Sequence, residues 1–221
     1  MNDWLDFFCL SIGSAMLTLT ATGLVVASVM PGTERWSRRF FISFFATVLL
    51  FTATELIDLL VWKNPAMATA ERIAAFFEYL LLSMLVPMFT VYLLRTCGED
   101  WLRSRLFRAV VVFWGMFLIL LAVAQCTTFL YYVTPDNHFF RGEWHPLLMA
   151  PMVLTLFLNL TGVIRRRGRL PKKYYVAFMI HVIPLTATFL AHTFFFVPVA
   201  TFMGVVFFNA VDVRNYSVRP D

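Results

Sequence analysis

Long apolar runs separated by short polar segments dominate the chain. Each run is long enough for a helix that crosses a bilayer; they lie at 7–30, 40–62, 73–94, 107–132, 147–164, 174–193 and 197–213. Residues 174–213 are apolar almost throughout, and one helix of that length would be about 60 Å long, twice the hydrocarbon thickness. We therefore expect a turn near His192–Pro198, and we predict an all-α fold, a bundle of seven transmembrane helices.

The composition is typical of a membrane domain. Hydrophobic residues make up 60% of the chain and charged residues 14%, whereas soluble domains average about 45–50% and about 25%. We predict a single transmembrane domain over residues 1–213, followed by a short cytoplasmic tail at 214–221. Because the first residues are acidic rather than basic, we interpret the first apolar run as a retained helix and not as a signal peptide.

The basic residues lie mainly in alternate connections. Of the 18 Lys and Arg, 15 lie in the segments 31–39, 95–108 and 165–173 and in the tail after 213. The positive-inside rule then places the N-terminus outside and the C-terminus in the cytoplasm of a multi-pass protein of the cell membrane. The basic clusters are thus topology signals first, with anionic lipid as a secondary partner. The net charge of +5 does not indicate a nucleic-acid partner.

Two carboxyl groups inside the second apolar run suggest a functional site. Glu55 and Asp58 are three residues apart, which places them on one face of a helix. Ionisable residues are costly in hydrocarbon and usually face a protein interior or a wet cavity. In the predicted topology Glu78 and His192 reach a similar depth in the outer half, and Arg141 extends from the outer loop. We predict that these five residues form an outward-facing site for a small ligand, a cation or protons.

Other roles for these groups remain open at the level of sequence. They could instead neutralise one another and only fix the packing of the helices. Since three full negative charges would be poorly compensated there, we expect at least one carboxyl group to be protonated at neutral pH. Polar side chains at a similar depth that can join the cluster are Tyr79, Thr54, Gln125 and Thr127.

A metal site has little support from residue spacing. His192 with the three carboxyl groups, or the loop residues His138 and His145, would supply suitable ligand types. However, the chain contains no HxxxH, HExxH or CxxC pattern, no GxSxG motif and no nucleotide-binding loop. The seventh run also has no lysine for a retinal Schiff base. We therefore predict no bound metal, no cofactor and no catalytic residue.

The loop 131–146 carries a resemblance to a known family. Thr134-Pro135-Asp136-Asn137 has the composition of a turn. The pattern Tyr132…Asp136-Asn137-His138…Arg141-Gly142 resembles the outer loop in the seven-helix N-terminal sensor regions of bacterial histidine kinases and diguanylate cyclases. Leu85-Val86-Pro87-Met88-Phe89 is similar to the proline-bearing third span of such regions. In that family the seventh helix leads into a cytoplasmic output domain. Because this sequence ends at Asp221, we expect either a truncated sensor or one that signals through a separate partner.

The resemblance implies a non-catalytic sensor of the bacterial inner membrane. In this hypothesis an extracellular ligand contacts the polar cluster and changes the packing of spans 6 and 7, and a cytoplasmic partner reads the change. The alternative is a small transporter or proton-coupled carrier, for which only Asn159 and His181 continue the polar path inward. A membrane-embedded metal hydrolase is a third hypothesis.

Overall fold

A computed structural model of the protein describes residues 3–29, 34–61 and 64–194, and most of them are helical. In this part of the chain six α-helices follow one another: α1 (Asp3–Val29), α2 (Arg35–Val61), α3 (Ala68–Thr96), α4 (Arg105–Cys126), α5 (His145–Arg165) and α6 (Lys172–Phe194). Strands β1 (Tyr131–Val133) and β2 (Phe139–Arg141) form an antiparallel hairpin between α4 and α5. Short 3-10 turns, Pro65–Met67 and Trp101–Arg103, precede α3 and α4.

Five of these helices are long and apolar enough to cross a membrane. They cover Leu10–Val29, Arg35–Val61, Pro65–Thr96, Arg105–Cys126 and His145–Arg165. The sixth predicted run, 174–193, also forms a helix, α6. The prediction of a helical protein with several membrane-length helices is confirmed, whereas the seventh predicted run, 197–213, lies outside the described residues.

The fourth predicted run, 107–132, is wrong at its C-terminal end. Helix α4 ends at Cys126, and β1 begins at Tyr131. The sequence there, Tyr131–Val133, consists of aromatic and β-branched residues, which favour a strand when a partner strand is available. That partner is β2, with Tyr131 opposite Arg141. An apolar run alone does not reveal this change from helix to strand, because both elements bury apolar side chains.

The described residues divide into two compact units, of which the first comprises Met1–Leu85 and Leu118–His145. In this unit α1 and α2 pack closely because glycines of α1 face large side chains of α2. A Cβ at Gly13 would lie 2.6 Å from Cδ2 of Leu56, and one at Gly23 would lie 2.6 Å from Cε1 of Phe45. Small residues at such positions allow helix backbones to approach each other, as is common in membranes.

Exposed hydroxyl groups of α1 are satisfied within the helix itself. Ser14, Thr18 and Thr22 each donate to the carbonyl oxygen four residues earlier, at 2.8–3.0 Å. A hydrocarbon environment offers no water to such groups, so an internal hydrogen bond removes most of their cost there. Since Leu19 and Val25 are exposed on the same helix, the surface of α1 is compatible with contact with lipid.

The second unit comprises Val86–Phe117 and the described residues from Pro146 onward. Its apolar core contains Leu93, Val163, Leu170 and Phe178. Phe89 of α3 meets Phe178 of α6 edge to face, with ring centroids 5.3 Å apart. This arrangement is favoured by the quadrupoles of the two rings. The core therefore joins the C-terminal part of α3 to α5 and α6.

Candidate functional site

Four carboxyl groups of α2 and α3 come together in the first unit. Glu55 and Asp58 lie one turn apart in α2, while Glu71 and Glu78 lie two turns apart in α3. The charge of Asp58 interacts with those of Glu55, Glu71 and Glu78. We call these four residues the acidic cluster. It contains three of the five residues that the sequence singled out, together with Glu71, which the sequence analysis did not name.

The acidic cluster is largely removed from solvent. Glu55 and Glu71 have exposed fractions of 9% and 2%, and Asp58 and Glu78 are partly buried. The side chains of Asp58 and Glu71 are hydrogen-bonded to each other. Because an ionised carboxylate can only accept, a hydrogen bond between two carboxyl groups requires a proton on one of them.

One buried oxygen of the cluster has no partner. Oε2 of Glu71 makes no hydrogen bond within the described part of the chain. Leaving a buried acceptor unsatisfied costs about 1–3 kcal/mol. Such exceptions are rare in folded proteins and call for an explanation, and one explanation is an ion or a ligand that binds at this oxygen. Oε2 of Glu71 is therefore a buried acceptor without a donor among the described residues.

A buried layer of aromatic and polar side chains adjoins the cluster. Tyr79 follows Glu78 in α3, and its hydroxyl lies 3.2 Å from Nε2 of His145. The ring of Tyr79 also meets that of Tyr131, with centroids 5.5 Å apart. The hydroxyl of Tyr131 accepts a hydrogen bond from the side-chain amide of Gln125. Burial raises the pKa of Tyr131 above its ordinary value, so this phenol is neutral at physiological pH.

The hairpin turn is fixed to the end of the helix that carries Glu55 and Asp58. The predicted turn is present, since the N–H of Asn137 donates to the carbonyl oxygen of Thr134 at 2.9 Å. Asn137 has a φ of 61°, the left-handed conformation that closes three-residue hairpin loops and that asparagine tolerates. Its side-chain nitrogen donates to the carbonyl oxygens of Val61 and Asn64. Both oxygens also accept a backbone N–H, so the turn adds a second hydrogen bond to each of them and is thereby attached to the end of α2 and the residues that follow it.

Of the other two residues of the predicted site, the structure describes the side chain of only one. Arg141 is partly buried in β2, and its charge interacts with the hydroxyl of Tyr79. His192 belongs to α6, but its side chain lies outside the described residues. Among the further polar groups considered from the sequence, the hydroxyls of Thr54 and Thr127 donate to carbonyl oxygens four residues earlier, in α2 and α4, at 2.8 and 3.1 Å. Those two bonds are local to α2 and α4.

The histidines of the loop differ in environment. His138 is exposed in the turn, whereas His145 is the first residue of α5 and has an exposed fraction of 1%. The two therefore do not present a common face to a ligand. Across residues 3–29, 34–61 and 64–194, no group of three His, Cys, Asp or Glu side chains could hold a metal ion.

Sequence reasoning missed Glu71 and the partners of Tyr79 for different reasons. Glu71 precedes the predicted start of the third span at residue 73, yet it is seven residues before Glu78, a spacing that places both on one helix face. That spacing could have identified it. The contact of Tyr79 with His145 joins residues far apart in the chain, and no local pattern encodes it.

A second buried polar pair lies in the second unit. The hydroxyl of Thr90 in α3 lies 2.8 Å from Oδ1 of Asn159 in α5, and both side chains are buried. His181, which with Asn159 continues the polar path inward in the sequence analysis, has a side chain that is not among those described. Comparisons of the chain with protein-family models, with curated proteins and with solved structures found no match.

Proposed function

We propose that the chain is a multi-pass protein of the cell membrane that acts as a non-catalytic sensory module. Its ligand is a small organic cation with N–H donors, and the acidic cluster binds it. The observation that carries the proposal is the buried, unsatisfied Oε2 of Glu71 within a group of four carboxyl side chains. An ammonium group supplies both the donor that this oxygen lacks and the charge that the cluster can neutralise.

We expect the ligand cation to exchange for a proton that Asp58 and Glu71 share. While the site is empty, the proton between Asp58 and Glu71 limits the negative charge that is buried. An arriving ammonium group replaces that proton, and the two carboxyl groups then compensate the ligand charge instead. Binding is therefore accompanied by proton release, and its affinity rises with pH until the ligand itself loses its charge.

The proposed orientation places the hairpin and the acidic cluster near the outer surface. It rests on the distribution of the Lys and Arg residues, since the basic connections mark the cytoplasmic side. Helix α3 begins at Ala68, and its face in the first unit buries the polar residues Glu71, Tyr79 and Ser83. A ligand-dependent shift of α3 would change the packing of this face, and a separate cytoplasmic partner would read that change.

A proton-coupled carrier is the second candidate function. The observation that favours it is the buried pair of Thr90 and Asn159, because a carrier needs polar groups beyond the point where the ligand enters. One amide and one hydroxyl provide fewer ligand contacts than the acidic cluster does. We therefore place the sensory module first.

Reconstitution of the full chain in liposomes separates these functions. Ethylammonium and tetramethylammonium serve as probes, since both are cations but only the first has N–H donors. We expect ethylammonium alone to raise the melting temperature, by more at pH 8 than at pH 6, with no uptake into the vesicle lumen. Uptake of ethylammonium driven by a pH gradient would identify a carrier. Equal stabilisation by both cations would contradict the proposed role of Glu71.

A further inference from the structure

An open groove lies in the second unit, where α3 and α5 end and α4 begins. Its volume is about 560 Å³, and its lining includes four arginines, Arg105, Arg165, Arg166 and Arg169, and one acidic residue, Glu99. Arg105 is the first residue of α4 and Arg165 is the last residue of α5, and both of these helices are long and apolar enough to cross a membrane. The groove therefore lies where membrane helices meet the headgroup region.

Glu99 holds two of the arginines in place. Its carboxylate accepts hydrogen bonds from Nε and Nη2 of Arg166, at 2.9 and 2.8 Å, and from Nη1 of Arg169 at 2.9 Å. Gly98, with a φ of 70°, ends α3 and turns the chain so that Glu99 follows directly. The N–H of Glu99 then donates to the carbonyl oxygen of Leu94, as in a Schellman motif. Bidentate pairing of this kind fixes the orientation of a guanidinium group.

Positive charge remains after these ion pairs are counted. Glu99 is one carboxylate for two guanidinium groups. Arg105 and Arg165 make no salt bridge to any residue of the described chain, and both are exposed at the groove. The groove therefore attracts an anion, and its strongest donors for a phosphate are the forked N–H groups of these arginines.

Part of the groove lining is apolar, and we call this part the floor. Leu106 and Ala109 of α4 line it together with Leu158 of α5. Gly162 of α5 permits this close approach, because a Cβ there would lie 2.6 Å from Cδ2 of Leu106. A lining that combines arginines with apolar side chains matches a molecule with an anionic head and a hydrocarbon chain, since the head is paired while the chain is removed from water.

We propose that this groove is a binding site for an anionic phospholipid. The phosphate lies between Arg105 and Arg165, and the first part of one acyl chain follows Leu106, Ala109 and Leu158. Topology alone accounts for arginines at this end of the protein, but it does not require four of them to line one groove with an apolar floor. The site is separate from the acidic cluster and does not depend on the function proposed for it.

The proposal is tested by native mass spectrometry of the full chain in detergent, with phosphatidylglycerol and phosphatidylcholine as probes. We expect the wild type to retain phosphatidylglycerol selectively. The double variant R105Q/R165Q should bind it roughly 30-fold more weakly, the factor that corresponds to about 1 kcal/mol for each arginine near an anionic headgroup. The charge-matched control R108Q/R167Q should bind as the wild type does, because these arginines are exposed but do not line the groove.

Two further measurements test whether weaker binding results from loss of stability or from loss of charge alone. The melting temperature of R105Q/R165Q without added lipid should equal that of the wild type, since both side chains are exposed. If that variant proves unstable, A109W provides the second test, because it fills the floor and leaves every arginine in place. It should weaken binding of phosphatidylglycerol but leave any response to soluble glycerol phosphate unchanged. Equal losses in R105Q/R165Q and R108Q/R167Q, or no loss in A109W, would overturn the proposal.

Discussion

The side-chain nitrogen of Asn137 lies 2.5 Å from the carbonyl oxygen of Val61, the last residue of α2. The same nitrogen lies 3.0 Å from the carbonyl oxygen of Asn64. One amide of the hairpin turn thus donates to two carbonyl oxygens, one at the end of the helix that carries Glu55 and Asp58 and one just after it. This relationship connects the hairpin, which contains the strands of the described residues, to the acidic cluster within the same compact unit.

Replacing Asn137 should destabilise the protein in two separable steps. Asn137→Gly keeps the left-handed backbone but loses both hydrogen bonds, for which we expect a loss of about 1–3 kcal/mol. Asn137→Ala should lose roughly 1 kcal/mol more, because a Cβ is unfavourable at a positive φ. Melting in detergent, followed by tryptophan fluorescence, measures both. Equal stability of the two variants would show that the φ of 61° has no energetic role.

The two substitutions of Glu55 should differ. Glu55→Gln keeps the size and polarity of a protonated carboxyl group, so we expect it to fold with less than about 1 kcal/mol of lost stability. Glu55→Ala leaves a gap and unsatisfied neighbours in the cluster, at a cost of about 1–3 kcal/mol. Glu143→Ala, at an exposed position of the same unit, is the matched control and should be neutral. If Glu55→Ala were as stable as the wild type, Glu55 would not belong to a buried cluster.

Glu99 should make the stability of the second unit depend on acid pH. The hydrogen bond from Arg166 is the main cause that lowers the pKa of Glu99 below its ordinary value. The ionised form therefore stabilises the fold, fully above roughly pH 4.3, and this contribution is lost as the pH falls through the lower pKa of the folded state.

We expect Glu99→Gln to flatten the fall in melting temperature between pH 5 and acid denaturation, since the variant has no carboxyl group to protonate. Asp100→Asn is the control, because the ion pair of Asp100 with Arg103 is exposed and its capping of Leu102 can be kept by asparagine. An unchanged acid profile in Glu99→Gln would contradict the role given to this ion pair.

Single cysteines test the proposed orientation. The side chain of Asn137 is fully buried, so the exposed Asp136 is the position to replace in the hairpin, and the exposed Gly168 is its counterpart in the basic connection. In a variant without the three native cysteines, a membrane-impermeant maleimide should label D136C in intact cells and G168C only after lysis. Labelling of G168C in intact cells would invert the topology and move the acidic cluster away from the outer surface.

The helices could be predicted because their signal is local. Apolar runs of membrane length locate α1 to α6 within a few residues, since each helix satisfies its own backbone groups. The end of α4 could not be located in this way, because Tyr131–Val133 becomes a strand only by pairing with Phe139–Arg141. Turn residues around Pro135 did predict the change of direction, as their chemistry acts over four residues.

The site was accessible to sequence reasoning only in part. Carboxyl groups such as Glu55 and Asp58 stand out in an apolar run because burying them is costly. Glu71 was missed because it lies in the first turn of α3, where a helix end and a loop have similar composition. The pairing of Tyr79 with His145 depends on how α5 packs after the hairpin, and sequence spacing does not carry that information.

The response of Glu71 variants to ethylammonium tests the central claim most directly. The measurement is the melting temperature of the full chain in detergent at pH 8, with and without this cation, for wild type, Glu71→Gln and Glu143→Gln. We predict stabilisation of the wild type and of Glu143→Gln but not of Glu71→Gln, together with proton release on binding to the wild type. If Glu71→Gln is stabilised as much as the wild type, the acidic cluster is not the ligand site.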